Sequence, residues 1–294
     1  MSLQERPAHF GPYRVLRPLG RGASGSVYLA LDDDNGAAVA LKVVPLGSSG
    51  SGGDASSDAA FNEARGRFLV EAYAARRLAH PDIVAVLGAG EARGQGWIAM
   101  ELVPGTDLGR YTHPSRLLPE PLILQIGERI ARALAHAHGI GIVHRDIKPS
   151  NVMAHWPSHT LTLGDFGLAR TLDAQATRTG LVLGSPVYMA PEQLAGAPAD
   201  ARTDIYALGV TLFQLLAGRL PHDAPTMGEL LHQVASQPAP DIRSLKPEAS
   251  AGLAQLLQKL LAKQPAGRFQ HVGEVADALA QLAAAAPAGP MSRT

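Results

Sequence analysis

At 294 residues, 46% of them hydrophobic, the chain is long enough for a sizeable core and one or two domains. Its 26 Lys and Arg balance 26 Asp and Glu, so no basic excess points to nucleic acid or to an anionic membrane surface, and any basic site must be local. Cysteine is absent, which excludes disulfides, thiolate metal sites and a cysteine nucleophile and suits a reducing, cytoplasmic setting.

Met1 to Phe10 contains Glu5, Arg6 and Pro7 and no apolar core, so it does not read as a secretory signal. Short β-favouring runs follow at Tyr13 to Leu16, Val27 to Leu31 and Ala38 to Val44, with Asp32 to Gly36 as the turn between two of them. Gly47 to Ser57 is Gly/Ser-rich and reads as a flexible loop to which no role is assigned. A helix is predicted from about Ala60 to Leu78, then strands at Ile83 to Leu87 and Trp97 to Leu102. After Pro104-Gly105 the pattern turns helical. Ile123, Ile126, Ile130 and Leu134 share a face, and so do Leu253, Leu256, Leu257, Leu260 and Leu261. Met227, Leu230, Leu231, Val234 and Ala235 form a further stripe, opened by Thr226 and Glu229 at capping-box spacing. Ile205 to Ala217 is the longest largely apolar stretch but too short to cross a bilayer, so it predicts a helix buried in protein. Val272, Val275, Ala276 and Leu279 mark a last helix. The expected architecture is α+β with two lobes. Residues 1–9 are a tail, 10–103 a small β-rich lobe with one main helix, 104–282 a larger helical lobe, and 283–294 an Ala/Pro-rich tail. A small-molecule site is expected in the cleft between the lobes.

The chemistry-bearing residues begin with Gly20-Arg21-Gly22-Ala23-Ser24-Gly25-Ser26-Val27. A G-x-G-x-x-G pattern alone is weak, but here it continues as a strand rather than a dinucleotide-binding helix, and it lacks the Gly-Lys-Ser/Thr of a Walker loop. What remains is a hairpin with little side-chain bulk at its tip, whose N–H groups can approach phosphates. Lys42 follows on an apolar strand, within reach of such phosphates. Glu71 is the candidate carboxylate to hold it, with Glu63 as a rival nearer the loop. The strongest element is His144-Arg145-Asp146-Ile147-Lys148-Pro149-Ser150-Asn151, followed by Asp165-Phe166-Gly167 and Ala190-Pro191-Glu192. Phosphoryl transfer needs a hard cation on the phosphates. Asn151 and Asp165 offer oxygen ligands, Asp146 a proton acceptor and Lys148 a contact to the transferring group.

These motifs, in this order, resemble the eukaryotic-type (Hanks-type) serine/threonine protein kinases, especially their bacterial members, over about residues 10 to 282. The resemblance implies an enzyme that moves the terminal phosphoryl group of ATP onto Ser or Thr hydroxyls of protein substrates, with Mg²⁺, or Mn²⁺ as an alternative. It implies that Leu19 to Val27 cover the phosphates and that Val27, Ala40 and Met153 sandwich the adenine. Met100 then backs the pocket, Glu101 and Val103 bind the adenine edge through their backbones, and Asp107 meets the ribose. Lys42 pairs with Glu71 in the active state, Asp146 is the base, and Asn151 and Asp165 hold the metal. Asp204 anchors the catalytic-loop backbone, and Arg268 pairs with Glu192. Gln264 departs from the Asp often found a few residues before that arginine, which puts a local support in doubt. Thr177 and Thr179 match a Thr-x-Thr pair of related bacterial kinases, and Arg145 and Arg170 could receive a phosphate there, implying autophosphorylation. Dimerisation through the small lobe occurs in relatives. The histidines do not suggest a metal site: His136 and His138 do not share a helix face, His155 and His159 flank a turn, and His144 reads as structural. Trp97 and Trp156 read as packing groups.

Overall fold

The computed structural model describes residues 8–22, 25–46, 55–166 and 186–285. The chain divides into two units, one up to Pro104 and one from Gly105, and each is built on its own logic.

The first unit is a six-stranded antiparallel sheet in the order β1-β2-β3-β4-β6-β5. Its strands are β1 (His9–Phe10), β2 (Tyr13–Gly22), β3 (Gly25–Asp32), β4 (Ala38–Pro45), β5 (Val86–Ala92) and β6 (Gln95–Glu101). Strand β1 lies partly within the expected tail. Alternation sorts the side chains. Phe10, Tyr13, Ala30, Val39, Leu41, Val43, Trp97 and Ala99 form one buried cluster, in which the Tyr13 and Trp97 rings meet edge to face at 5.4 Å. Trp97 is thus a packing group. The strand predicted at Ile83 to Leu87 instead runs from Val86 to Ala92. Glycine stands at position 90 in it because a Cβ there would lie 2.6 Å from the Trp97 ring.

The helix α1 (Ala55–Ala75) starts five residues before the predicted position and so takes in the end of the expected loop. Its first turns are rich in Ala, the strongest helix former. Its fully buried Phe68 packs against Gly96 of β6, and Ala72 and Ala75 continue the buried stripe.

The second unit begins with a three-stranded sheet, β7 (Thr106–Asp107), β8 (Val152–His155) and β9 (Thr160–Leu163). Around it are α2 (Glu120–Gly139), α3 (Pro191–Leu194), α4 (Ala201–Ala217), α5 (Met227–Ser236), α6 (Ala251–Leu260) and α7 (Val272–Ala285). Helix α4 is buried on nearly every side, as its apolar run predicts, and it is capped at both ends: the Asp200 carboxylate accepts from the Arg202 N–H, and Gly218 closes the helix in the left-handed region. Helix α2 buries Ile123, Ile126, Ile130 and Leu134. Thr226 caps α5, but Met227 at its start is 40% exposed and lies off the buried stripe of Leu230 and Val234. Helix α7 continues through residues 283–285 of the expected tail.

Candidate active site

Each unit gathers its own set of the predicted residues. In the first, β2 and β3 pair as a hairpin up to Gly22 opposite Gly25, with Ala23 and Ser24 outside the described residues. Gly25 has φ +135°, and a Cβ on it would sit 2.3 Å from the Val43 carbonyl oxygen, so the hairpin needs glycine there. Gly20 and Gly22 differ: among the described residues nothing lies within 4 Å of the Cβ that either lacks. Packing among the described residues gives no reason for their smallness. Leu19 is 43% exposed and Arg21 is exposed beside them.

Register places Gly20 opposite Val27, Val27 opposite Lys42 and Lys42 opposite Ile98. Ala40 lies opposite Met100, two residues along from Lys42. Side chains at paired positions share a sheet face, so Val27, Ala40, Lys42 and Met100 stand on one face, opposite to the Leu41 and Trp97 cluster. Ser26, one residue before Val27, stands on the other. Lys42 is only 5% exposed, and an ammonium so buried requires partners. Glu71 is partly buried on α1 between Phe68 and Ala72, whereas Glu63 is exposed and held by Arg67 one turn on. The rival carboxylate is therefore occupied at the surface. Glu101 exchanges two bonds with Ala85, its N–H donating to the Ala85 carbonyl and its Oε1 accepting the Ala85 N–H, at 3.0 and 3.1 Å. Val103 is partly buried.

In the second unit the loop from His144 to Asn151 hangs on one carboxylate. Asp204, in the first turn of α4 and fully buried, accepts the His144 N–H at 2.8 Å on Oδ2 and the Arg145 N–H at 2.7 Å on Oδ1. The His138 ring nitrogen Nε2 reaches the same Oδ2 at 2.8 Å. Sequence reading anticipates the anchoring role of Asp204 but misses His138. That contact joins residues 66 positions apart, and no local pattern announces it.

His144 is structural, as expected. Its Nδ1 accepts the Asp146 N–H at 3.3 Å and its Nε2 bonds the Gly164 carbonyl oxygen at 2.9 Å, an arrangement that fits the neutral ring with the proton on Nε2. Burial pushes its pKa below the usual imidazole value, against the raising pull of Asp204 and Asp146. The backbone spends strain here: Arg145 and Asp165 have φ +67° and +56°, and such left-handed residues cost of order 1–3 kcal/mol each and concentrate at functional sites.

The Asp146 carboxylate receives Lys148 Nζ at 2.7 Å and Asn151 Nδ2 at 3.1 Å, both on Oδ2, and Asn151 Nδ2 also donates to the Asp146 carbonyl at 2.7 Å. Asn151 is 8% exposed, and its donor end is committed to Asp146, so its amide oxygen faces away from that carboxylate. The β8–β9 register, Val152 opposite Leu163, continues with the Gly164 N–H donating to the Asn151 carbonyl at 2.9 Å. Asp165 comes one residue later. Strand pairing thus brings the backbones of Asn151 and Asp165 near one another, and an amide oxygen and a carboxylate are the kinds of hard-oxygen donor that suit Mg²⁺. Among the described residues no cluster of three or more His, Cys, Asp or Glu forms a metal site. Asp107 and Met153 are paired across β7 and β8, and Asp107 Oδ1 is taken up by the Gly109 N–H at 2.9 Å.

The Gln264 departure does not weaken Arg268. The guanidinium is 2% exposed, and its five N–H groups meet five acceptors: Glu192 Oε1 and Oε2 at 2.7 and 2.8 Å, and the carbonyls of Ala262, Arg202 and Lys263 at 2.8, 2.9 and 3.0 Å. Backbone oxygens supply what an extra carboxylate would. Thr177, Thr179, Arg170 and the Gly167 end of its motif lie outside the described residues.

The protein kinase domain family matches residues 13–280. The serine/threonine-protein kinase PknJ of Mycobacterium tuberculosis is 40% identical over 92% of this chain and 45% of its own length. PknF of the same species is 38% identical over 92% of this chain and 56% of its own, and pkn2 of Myxococcus xanthus is 37% identical over 92% and 32%. The chain spans about half the length, or less, of these relatives. Among the described residues no helix is long and apolar enough to cross a membrane. With a β-rich unit followed by a helical one and the kinase motifs in order along both, the chain belongs to the protein kinase domain family, and the relatives it resembles are bacterial serine/threonine-protein kinases.

Proposed function

We propose that this chain transfers the terminal phosphoryl group of ATP to serine and threonine hydroxyls of proteins, with Mg²⁺. The observation that carries the reading is the cluster in which Lys148 and Asn151 both bond Asp146 Oδ2, on a loop suspended from buried Asp204. Asp146 accepts the proton of the attacking hydroxyl and orients its oxygen. With Oδ2 fixed by two donors, Oδ1 faces the hydroxyl. Lys148 steadies that carboxylate and offers positive charge to the transferring group. Bound Mg²⁺ offsets the phosphate charge, held by Asn151 and Asp165. Gly20 and Gly22 let backbone N–H groups approach the phosphates, and Lys42, held by Glu71, pairs with them. Leu19 and Val27, with Ala40, Met100 and Met153, enclose the adenine, while the backbones of Glu101 and Val103 and the remaining oxygen of Asp107 fix the nucleoside. Protein rather than small-molecule acceptors are favoured by the names of the relatives.

The same reading makes Thr177 and Thr179 autophosphorylation sites read by Arg145 and Arg170. Cytoplasmic placement and pairing through the small lobe rest on the resemblance alone. Transfer of labelled phosphate from ATP to a generic protein and to the chain itself tests the proposal. Asp146→Asn should lower it about 10²- to 10⁴-fold, with phosphate appearing on Thr177 or Thr179 of the wild type by mass spectrometry. Equal transfer by both proteins would remove the role given to Asp146.

A further inference from the structure

The peptide unit joining Arg145 to Asp146 is a rigid plane, and both of its polar groups are held. Its N–H donates to His144 Nδ1 at 3.3 Å, and its carbonyl accepts from Gln193 Nε2 at 3.3 Å. The Asp146 side chain departs from this plane, so the tilt of the plane sets where the carboxylate points. Arg145, just before it, is strained at φ +67°, and a strained backbone keeps its shape only where its surroundings hold it. Gln193 belongs to α3, 48 positions along the chain. The other end of its amide is engaged too: the oxygen accepts the Ala190 N–H at 3.0 Å, at the start of α3. Glutamate or glutamine serves equally well in that capping role. An ionised glutamate cannot donate, however, and the Arg145 carbonyl takes a donor. The choice of glutamine at 193 therefore follows from the catalytic loop as well as from the helix.

We propose that Gln193 is a positioning residue for phosphotransfer, its side-chain amide fixing the Arg145–Asp146 peptide so that the Asp146 carboxylate meets the acceptor hydroxyl. The inference rests on the role given to Asp146 above and adds a residue to it. Gln193 acts through the loop backbone rather than on the reacting atoms. Its hold complements that of Asp204. Asp204 takes the N–H groups of His144 and Arg145, and Gln193 takes the carbonyl that follows them. Loss of the amide donor lets the carbonyl edge of the plane tip, and the carboxylate tips with it. Lys148 and Asn151 still bond Asp146 Oδ2, so the aim of the carboxylate suffers while its assembly survives, and the loss of rate is partial.

The test compares the full chain with its Gln193→Glu and Gln193→Met variants. Glutamate keeps the acceptor for the Ala190 N–H and loses the donor, whereas methionine loses both. Transfer of phosphate from ATP to a generic protein should show kcat lowered about tenfold in both variants, since a misaimed reacting group costs rate steeply. The KM for ATP should stay within about twofold of the wild type, the pattern of an interaction that serves the transition state. A residue that only caps α3 would leave Gln193→Glu at the wild-type rate, and that result would overturn the proposal. So would a loss carried by the KM for ATP with kcat unchanged. NMR supplies a reading that needs no activity. The Arg145 carbonyl carbon should shift upfield in both variants as its hydrogen bond is lost, and the Asp146 amide should exchange faster with solvent. An unmoved carbonyl shift overturns the proposal whatever the rates. A wild type that transfers no phosphate would sink the function proposed above, and the carbonyl shift would then decide by itself whether Gln193 holds the loop. Should either variant fail to fold, the other decides by its split between kcat and KM and by its carbonyl shift.

Discussion

Asp204 shows how much a single buried side chain can position. Its two oxygens take two loop N–H groups and the His138 ring, and it sits in the first turn of α4, where the helix dipole favours negative charge. An amide there keeps one acceptor and turns an NH₂ toward a donor. Asp204→Asn should therefore cost stability, since a buried donor left unmatched costs about 1–3 kcal/mol. It should also lower kcat more than it raises the KM for ATP, because the loop it holds carries Asp146 while the proposed nucleotide contacts lie mainly elsewhere. Thermal unfolding together with steady-state kinetics checks both. At this scale the sequence was generous. That Asp146, Lys148 and Asn151 come together was legible because they lie on one short loop, and the strand pair that follows sets Asp165 near it. His138 was not legible, because its partner arrives from a helix far along the chain.

Elements were legible where burial has a period and illegible where a neighbour overrides it. Helices α2, α6 and α7 announce themselves by apolar spacing, and α4 by its long apolar run. Strand β5 does so poorly, because Trp97 packs over Gly90 and leaves no side chain there to continue the apolar alternation. The start of α1 was misread because serines suggest a loop where alanines between them sustain a helix. The Arg268–Glu192 pair is the clearest tie between elements of the helical unit, joining the start of α3 to the segment before α7 and, through the Arg202 carbonyl, to α4. Thr203 adds a further bond to Glu192 at 3.1 Å. Removing one partner strands the other, so Arg268→Met should destabilise the protein by about 3–5 kcal/mol, and Glu192→Leu added to it should recover part of that loss. Denaturant titrations of the two variants measure both changes. A double variant no more stable than the single one would mean that the backbone contacts, rather than the ion pair, carry the tie.

For the molecule as a whole, stability depends on pH through groups that are neutral or charged at some cost in the fold. His144 and His222 both have depressed pKa values, chiefly from burial, His222 to about 4. Below the unfolded value of about 6.5, the unfolded chain binds protons that these rings refuse, so stability rises with pH across this window. Their stabilisation is fully present above about pH 6.5 and is lost as pH falls toward the folded values. Glu192 adds to the same slope lower down. Burial would raise its pKa, but bonds from Arg268, its own backbone and Thr203 outweigh that and hold it below the usual value, so its contribution goes as pH drops beneath the ordinary carboxylate range. The melting temperature should therefore fall steadily on acidification from neutrality, well before most carboxylates titrate. His222→Gln separates the contributions. It removes one refused proton and leaves His144 in place, so the decline between about pH 6.5 and 4 should become shallower by the share of a single ring. Scanning calorimetry of both proteins across that range reads the slopes directly. Parallel curves would mean that His222 protonates as readily in the folded state as in the unfolded one, and that its burial beside Lys263 does not govern its charge.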